Sequence, residues 1–401
     1  MDAFCLHDPR SASTAMRWFV RLALAAFSIA AAASPSAAAA RQPASPPMYS
    51  VVQVKAGKPD GAFGPEFLNN SGVVVVWTSA SRDTPEIATC LWSRARGAFA
   101  TLPHYEAEAF NSRGDVLLYK SSDAPAGEAT YIIWNGVTTR VVSRAPLGVN
   151  DAISFNDRED ISFNKLAGAG IQALVEHGGK RTVLPPLKGY NAALTMSINN
   201  AGAVAGGLIR TQRAHDVGIS VPCLWSKGVC TVIPGVRCVM EGGFGSVVVK
   251  EDLNDKGHVL IETTDDRGKT PVNHAYFWNG ARTIPLDHAL SDVEGLNSAD
   301  LVVGAHPTPS GDNTYAALWS DGVVTDLNRR LPRGSGWFLQ TATAINDVGQ
   351  IIGDGTFHGA SAMFLLTPLP RPAPHRGSGR LHGAPVSAAR GKKGRAASER
   401  S

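Results

Sequence analysis

Short apolar runs, many of them β-branched, alternate with polar turns from about residue 48 to residue 368. The clearest unit spans residues 344–353, where an apolar residue is followed by asparagine, a turn containing glycine and a second apolar run. Asparagine caps backbone N–H groups in such a turn and glycine accepts a positive φ. Each unit is therefore typical of two antiparallel strands joined by a tight turn. Helical periodicity of any length is missing after the first forty residues.

Seven copies of this unit recur, and their asparagines are Asn69, Asn111, Asn156, Asn199, Asn254, Asn297 and Asn346. Successive asparagines are 42, 45, 43, 55, 43 and 49 residues apart, a period close to that of four-stranded propeller blades. Five copies have glycine three residues after the asparagine. Asp300 tolerates the left-handed conformation at that position, whereas Glu159 fits it poorly. The third copy therefore departs most from the pattern.

A second landmark follows most of these turns: an apolar strand ends at tryptophan and leads into a glycine-containing hairpin. The tryptophans are Trp92, Trp134, Trp225, Trp278 and Trp319. Units three and seven replace them with Val175 and Leu366. We predict that these regularly placed rings pack between blades and do not stack on a ligand.

Each unit supplies four strands, except that the last is one strand short. Residues 49–54 read as an outermost strand with no blade before it. Pairing this strand with the last unit would close the ring and leave no open sheet edge between blades. The predicted fold is an all-β, seven-bladed β-propeller of four-stranded blades, closed by the N-terminal strand.

The paired motifs, an apolar-Asn-x-x-Gly turn and a Leu-Trp-Ser/Asn-x-Gly hairpin, resemble the bacterial HAF-family extracellular repeats. The resemblance covers about residues 49–368 and is closest over residues 316–368. The family's His-Ala-Phe signature occurs in one unit only, in the altered form His274-Ala275-Tyr276. It implies an exported β-repeat protein of the HAF family, and it brings no established catalytic residues.

The two ends of the chain differ from the repeats. Residues 1–40 are predicted to be a bacterial Sec-type signal peptide, because Arg17 and Arg21 flank a short apolar run that leads to small residues. Met16 is an alternative start, and residues 41–47 form a linker. We expect a secreted or periplasmic monomer with no membrane span after cleavage, since the apolar run is too short for one.

Residues 369–401 carry eight lysines and arginines against Glu399, about +7, whereas the whole chain carries +4. The basic balance therefore belongs to a disordered tail and leaves residues 1–368 near −3. Nucleic-acid binding and loose association with anionic envelope surfaces are both consistent with such a tail. For an exported chain we favour the second and expect no nucleic-acid partner.

Four cysteines follow the predicted leader, an even number for an oxidising compartment. Cys223 and Cys230 flank one hairpin and could pair across it, while Cys230–Cys238 is the competing pair. Cys90 lies in another blade. We expect one disulfide among the last three cysteines.

Common catalytic motifs are missing from the sequence. It has no Gly-x-Ser-x-Gly nucleophile motif, no His-Glu-x-x-His zinc-binding helix and no glycine-rich phosphate-binding loop before a helix. We therefore predict no catalytic residues, no metal and no cofactor. In a four-stranded blade the irregular connections share one face of the disc, and loops on a rigid scaffold usually carry recognition. The candidate binding residues on that face are Arg82, Arg210, Arg213, His215, Asp266, Arg329 and Arg330.

These observations favour an exported, non-enzymatic propeller that binds an extracellular glycan or protein, or associates with the envelope. A propeller enzyme, such as a glycan lyase or hydrolase with a site assembled from several blades, is the alternative. A purely structural secreted repeat is a third interpretation.

Overall fold

A computed structural model of the chain describes residues 46–56, 62–79, 87–121, 128–146, 150–167, 170–210, 218–236, 238–240, 248–265 and 272–370. The predicted leader and nearly all of the predicted tail lie outside these residues. Among those described, 29 strands form seven antiparallel sheets. The chain also divides at Leu369, so that the sheets belong to one compact unit.

The first strand, β1 (Tyr49–Val54), stands apart from the strands that follow it in sequence. Blade 1 contains β2 (Ala62–Leu68), β3 (Val73–Ser79), β4 (Ile87–Ser93) and β5 (Gly97–Pro103). Blade 2 contains β6 (Glu106–Phe110), β7 (Val116–Ser121), β8 (Glu128–Trp134) and β9 (Thr139–Pro146). Blade 3 contains β10 (Asn150–Phe155), β11 (Ile161–Ala167), β12 (Gly170–His177) and β13 (Lys180–Leu184).

The remaining blades repeat this order. Blade 4 contains β14 (Ala192–Ile198), β15 (Val204–Arg210), β16 (Gly218–Ser226), β17 (Val229–Val232) and the additional β18 (Cys238–Met240). Blade 5 contains β19 (Val248–Leu253), β20 (Val259–Asp265), β21 (Val272–Trp278) and β22 (Thr283–Pro285). Blade 6 contains β23 (Asp292–Leu296), β24 (Val302–Pro307), β25 (Thr314–Ser320) and β26 (Val323–Asp326). Blade 7 contains β27 (Trp337–Ile345), β28 (Ile351–Phe357) and β29 (Ala360–Pro368).

The first strand completes blade 7, whose order is β1-β29-β28-β27. Its register runs antiparallel from Tyr49 opposite Pro368 to Val54 opposite Met363. Tyr49 and Val54 are buried in this sheet. The predicted seven-bladed ring and its closure by the N-terminal strand are therefore confirmed.

The asparagine turns have one backbone geometry in all seven blades. In blade 1, the Asn69 N–H donates to the Val73 carbonyl at 3.1 Å, and the Asn69 Oδ1 accepts from the backbone N–H groups of Ser71 and Val73. Gly72 supplies the positive φ of +75°. Glu159 adopts a φ of 60° at the equivalent position, and its carboxylate is held by Arg113 and Arg140. The third copy therefore forms the same turn despite its poorly suited residue.

The inner strands approach their neighbours closely at a bulge, where the strand register shifts by one residue. A Cβ on Gly206, Gly304 or Gly353 would lie about 2 Å from a carbonyl oxygen of the adjoining strand. Only glycine allows this approach. The glycine that ends the clearest sequence unit, Gly353, is therefore required by strand-to-strand contact.

The repeated tryptophans pack between blades, as predicted. Trp92, Trp225 and Trp319 are buried in the inter-blade clusters, and the Trp319 ring lies 5.4 Å from that of Phe277 in the preceding blade. Burying these large side chains between adjacent sheets stabilises the propeller.

Two departures from a uniform repeat explain the longest spacings. β18 pairs with the N-terminal part of β16, whereas β17 pairs with its C-terminal part, and this additional strand lengthens unit four. A short 3-10 helix, Leu327–Arg330, follows β26, with Asp326 capping the Asn328 N–H at 2.9 Å. Within the described part of the chain, no helix has the length and apolar character needed to cross a membrane.

No disulfide joins Cys90, Cys223 and Cys230 to one another. Cys223 lies opposite Val232 and Cys230 opposite Trp225, so the two cysteines are diagonal neighbours on one face of the hairpin. A hydrogen bond from Cys223 lowers the pKa of Cys230. The expected disulfide is not confirmed by these residues, and the side chain of Cys238 lies outside the described part.

Candidate functional site

Antiparallel order gives the disc two different faces. The turns between first and second strands and between third and fourth strands share one side, the hairpin face. The remaining connections share the opposite side, the loop face. This division is the one that the sequence predicts.

A circle of asparagine side chains surrounds the channel on the hairpin face. In five of the seven blades, the Nδ2 of this asparagine donates to the backbone carbonyl of the asparagine in the next blade, at 2.8–3.0 Å, whereas the Nδ2 of Asn111 donates to Asp115 in its own turn. The five links are Asn156 to Asn199, Asn199 to Asn254, Asn254 to Asn297, Asn297 to Asn346 and Asn346 to Asn69. The repeated asparagines thus cap their own turns with Oδ1, and five of them also join neighbouring blades with Nδ2.

A second circle is formed by the residues that follow these asparagines. The N–H of Asp157 donates to Asn200 Oδ1 at 2.9 Å, and the N–H of Asn200 donates to Asp255 Oδ1 at 3.0 Å. The N–H of Asp347 likewise donates to Asn70 Oδ1 at 2.9 Å. Ser112 bonds to Asp157 through both its N–H and its hydroxyl. Most polar groups at this mouth are therefore used to join blades.

The two circles enclose a shallow polar depression of about 190 Å³. This volume is smaller than that of a typical site for a small organic ligand. One donor remains unused, because the buried Nδ2 of Asn69 has no hydrogen-bond partner at the joint between blades 1 and 2. Among the described residues, no three His, Cys, Asp or Glu side chains are arranged to hold a metal.

Charged networks support two of the turns. Burial raises the pKa of Asp160, but hydrogen bonds from His177, Asn156 and Arg158 outweigh burial and lower it overall. The pKa of Asp300 is also lowered, because hydrogen bonds from Lys256, His258 and Asn254 outweigh the effect of its burial. These carboxylates therefore remain ionised and hold the turn geometry.

Acidic residues are concentrated in the innermost strands of the blades. These strands contain Glu66, Glu106, Glu108, Asp151, Glu251, Asp252, Asp292 and Glu294, with Lys250 as their one basic residue. Asp252 accepts from the Leu296 N–H of the next blade at 3.1 Å. Sequence reasoning missed this clustering, although most of these acids lie shortly before the repeated asparagine.

One of these acids contacts a buried phenol. The Tyr131 hydroxyl donates to Asp151 Oδ1 at 3.2 Å, and the Tyr131 ring lies 5.3 Å from that of Tyr119. Burial raises the pKa of Tyr131, and the charges of Asp151 and Glu108 raise it further. Because Tyr131 is 5 % exposed, its phenol is neutral and acts in packing between blades 2 and 3.

Three of the seven predicted loop-face residues belong to the described part of the chain, and these three do not form one cluster. Arg82, Arg213, His215 and Asp266 lie outside the described residues. Arg210 is exposed at the end of β15 in blade 4, whereas Arg329 and Arg330 lie in the 3-10 helix between blades 6 and 7.

The two helix arginines have different surroundings. The Arg329 side chain is 86 % exposed and contacts Asp326 at 3.4 Å. Burial raises the pKa of Tyr49 to about 12, while the positive charge of Arg330 acts in the opposite direction. Arg329 is therefore the one of the pair that is freely presented to solvent.

Aromatic side chains also reach the loop face and were not predicted as site residues. The His306 ring stacks on Tyr315 at 5.1 Å and 19°. The partly buried Trp337 lies 5.0 Å from Phe357, which is next to the exposed His358. Blades 6 and 7 thus combine aromatic rings with Arg329 on this face.

No family model matches the chain, and no curated protein matches it. Solved structures with a similar fold include the β-propeller domain of the trilobed protease from Pyrococcus furiosus, with 10% identity, 77% of this chain and 94% of that chain covered, and a TM-score of 0.49. Acylaminoacyl peptidase from Pyrococcus horikoshii has 11% identity, covers 76% of this chain and 51% of that chain, and gives 0.47. The polysaccharide lyase Uly1 has 8% identity, covers 78% and 90%, and gives 0.45. At this level of similarity, the comparisons say nothing about activity.

Proposed function

We propose that this chain is an exported, non-enzymatic β-propeller that binds an extracellular glycan or protein through its loop face, as an envelope-associated module. Export is supported by the apolar segment with flanking arginines at residues 17–40, and by the resemblance of the repeats to HAF-family extracellular repeats. The seven-bladed ring supplies a rigid scaffold for the connecting loops.

The observation that carries this proposal is the contrast between the two faces. At the hairpin-face mouth, the asparagine and aspartate side chains are largely occupied by bonds between blades. On the loop face, Arg210 and Arg329 have no comparable role in the fold and are exposed to solvent. Exposed arginines and aromatic rings are suited to hydrogen-bonding and stacking with an incoming ligand.

The test is a panel of polysaccharides and peptides incubated with the full chain, scored for both binding and turnover. Once a ligand is found, Arg329→Ala and Arg210→Ala should weaken binding by about tenfold, the effect of losing one charged hydrogen bond. Alanine variants at Arg82, Arg213, His215, Asp266 and Arg330 extend the test to the remaining candidates.

Arg282→Ala on the hairpin face is the matched control, because Arg282 is also exposed and its replacement removes the same charge. Equal losses for the control and the loop-face variants would argue against the loop face. Unchanged affinity in all loop-face variants would remove the proposed surface altogether.

A glycan lyase or hydrolase is the second candidate, and the acidic innermost strands are the observation that favours it. Glycoside hydrolysis generally uses two carboxyl groups, one on each side of the bond that is cleaved. Glu108 and Asp151 belong to neighbouring blades and both act on the pKa of Tyr131. Turnover in the panel that is lost in Glu108→Gln or Asp151→Asn would favour this candidate over a binding module.

A further inference from the structure

The outer rim of the hairpin face is basic in five consecutive blades. This rim is formed by the hairpins between third and fourth strands. Its exposed basic residues are Arg94, Arg96, Arg140, Lys180, Arg181, Lys227 and Arg282. The acids nearby are Asp321 in blade 6, Glu176, which pairs with Arg181 at 2.9 Å, and Glu159, which pairs with Arg140 at 2.9 Å.

Several rim cations are not used to hold the fold. Arg94, Lys180, Lys227 and Arg282 are exposed, and none has an ion pair or side-chain hydrogen bond with another residue that the structure describes. In contrast, Arg140 pairs with Glu159, and the Arg96 guanidinium lies 3.9 Å from the centre of the Phe99 ring. The first four are therefore available to an anionic partner.

Apolar side chains project from turns on the same face. Val137, Val229 and Val348 are 88 %, 62 % and 58 % exposed at the turns of blades 2, 4 and 7. Val323 follows the hairpin of blade 6 and is also exposed. Valine favours the buried faces of strands, so its repeated placement at exposed turns is not explained by the fold.

We propose that the hairpin face docks on an anionic phospholipid membrane. The rim cations would contact lipid phosphates, and the valines at the turns would enter the headgroup layer. The turns are uniformly short, as a level contact with a bilayer requires. A soluble polysaccharide would account for the charges but not for the exposed valines.

Apart from Glu176 and Asp321, the acidic residues on this face lie at the turns closer to the channel, and several of them form ion pairs within the protein. Asp160 and Asp300 are paired with Arg158 and Lys256. The Asp157 carboxylate accepts hydrogen bonds from Ser112. The charge available at the rim is therefore positive, although the whole face contains both signs.

The docking surface is opposite the surface proposed for ligand binding, so either proposal can fail without the other. The full chain is mixed with vesicles containing equal parts phosphatidylglycerol and phosphatidylcholine, and the bound fraction is measured by sedimentation. Binding is expected to anionic vesicles and not to pure phosphatidylcholine, and to weaken as salt rises.

The main variant combines Arg94→Gln, Lys180→Gln, Lys227→Asn and Arg282→Gln. Asparagine is chosen at Lys227 because that residue has a φ of 51°, which asparagine tolerates. Partitioning onto anionic vesicles should fall about fivefold for each charge removed. A second variant, Val137→Ser with Val229→Ser, should lower binding while leaving the net charge unchanged.

The control removes the same number of charges from the loop face, with glutamine at Arg210, Arg329, Arg330 and Arg333, and should bind vesicles as the parent does. Four outcomes would overturn the proposal. The first two are no binding to anionic vesicles and equal binding to zwitterionic vesicles. The third is full binding by the rim variant, which would assign the contact to residues 371–401. The fourth is rim-dependent binding to a polyuronate without binding to vesicles.

Discussion

Asn346 Nδ2 donates to the backbone carbonyl of Asn69 at 2.8 Å and joins the last blade to the first across 277 positions of sequence. The same side chain accepts the Gln350 N–H at 2.8 Å through Oδ1. One amide therefore both completes a local turn and closes the ring. The β1–β29 pairing closes the ring at the outer edge of the same blade.

Replacing this amide should be costly. Asn346→Ala removes the Oδ1 cap and the contact with Asn69, and we expect the free energy of unfolding to fall by about 2–4 kcal/mol. Asn135→Ala is the matched control, because Asn135 caps the Val137 and Thr138 N–H groups at an exposed hairpin and joins no blades. It should cost about 1 kcal/mol. Urea denaturation compares the two, and equal losses would contradict the role of the asparagine circle.

The close strand approach at Gly353 predicts a large effect from one added methyl group. In Gly353→Ala the new Cβ would meet the Thr341 carbonyl oxygen at 2.0 Å, so the strands must separate, and we expect a loss of about 3 kcal/mol or more. Gly359→Ala is the control, because its φ of +83° is unfavourable but no atom lies within 4 Å of the new Cβ. It should cost about 1–2 kcal/mol. Thermal unfolding would contradict this prediction if the control were the more destabilised protein.

The lowered pKa of Asp160 predicts that the free energy of unfolding decreases at acidic pH. Its folded-state pKa lies below the ordinary value of 3.8, so the folded protein binds this proton less readily than the unfolded chain. The stabilisation is therefore present above pH 3.8 and is lost as pH falls through the lower folded-state pKa. Asp160→Asn should show a smaller loss of stability between pH 5 and pH 2 than the parent. Denaturation at a series of pH values measures this difference, and parallel curves would rule out the linkage.

Thiol reactivity should follow the arrangement of the cysteines. Cys230 is partly exposed and has a lowered pKa, whereas Cys90 and Cys223 are buried. In the folded, reduced protein, iodoacetamide should modify Cys230 before Cys90 and Cys223, and peptide mass mapping identifies the modified sites. Faster labelling of Cys223 would contradict the described burial. Mapping of unreduced, exported protein would also show whether a Cys223–Cys230 or a Cys230–Cys238 disulfide forms.

Turn chemistry was the part of the fold most open to prediction from sequence. Asn69 and Gly72 specify a turn through contacts four residues apart, so their pattern is visible without a structure. Glu159 shows the limit of this approach, because Arg113 and Arg140 hold a residue that fits the conformation poorly. Arg113 comes from the preceding blade, 46 residues away.

The candidate site was less predictable. The antiparallel alternation of strands is enough to separate the hairpin face from the loop face. It could not show that Arg210 belongs to blade 4 while Arg329 and Arg330 join blades 6 and 7. Nor did it show the stacking of His306 on Tyr315, because that contact depends on how two strands pair in register.

The sequence by itself determined the number of blades, the turn at each asparagine and the need for β1 to supply the missing strand, because each depends on local spacing. Tertiary structure alone decided that asparagine amides join neighbouring blades, that the strands rich in acids are the innermost ones and that cations lie on the rim. Those relationships depend on distances between residues more than forty positions apart, which only closure of the ring sets.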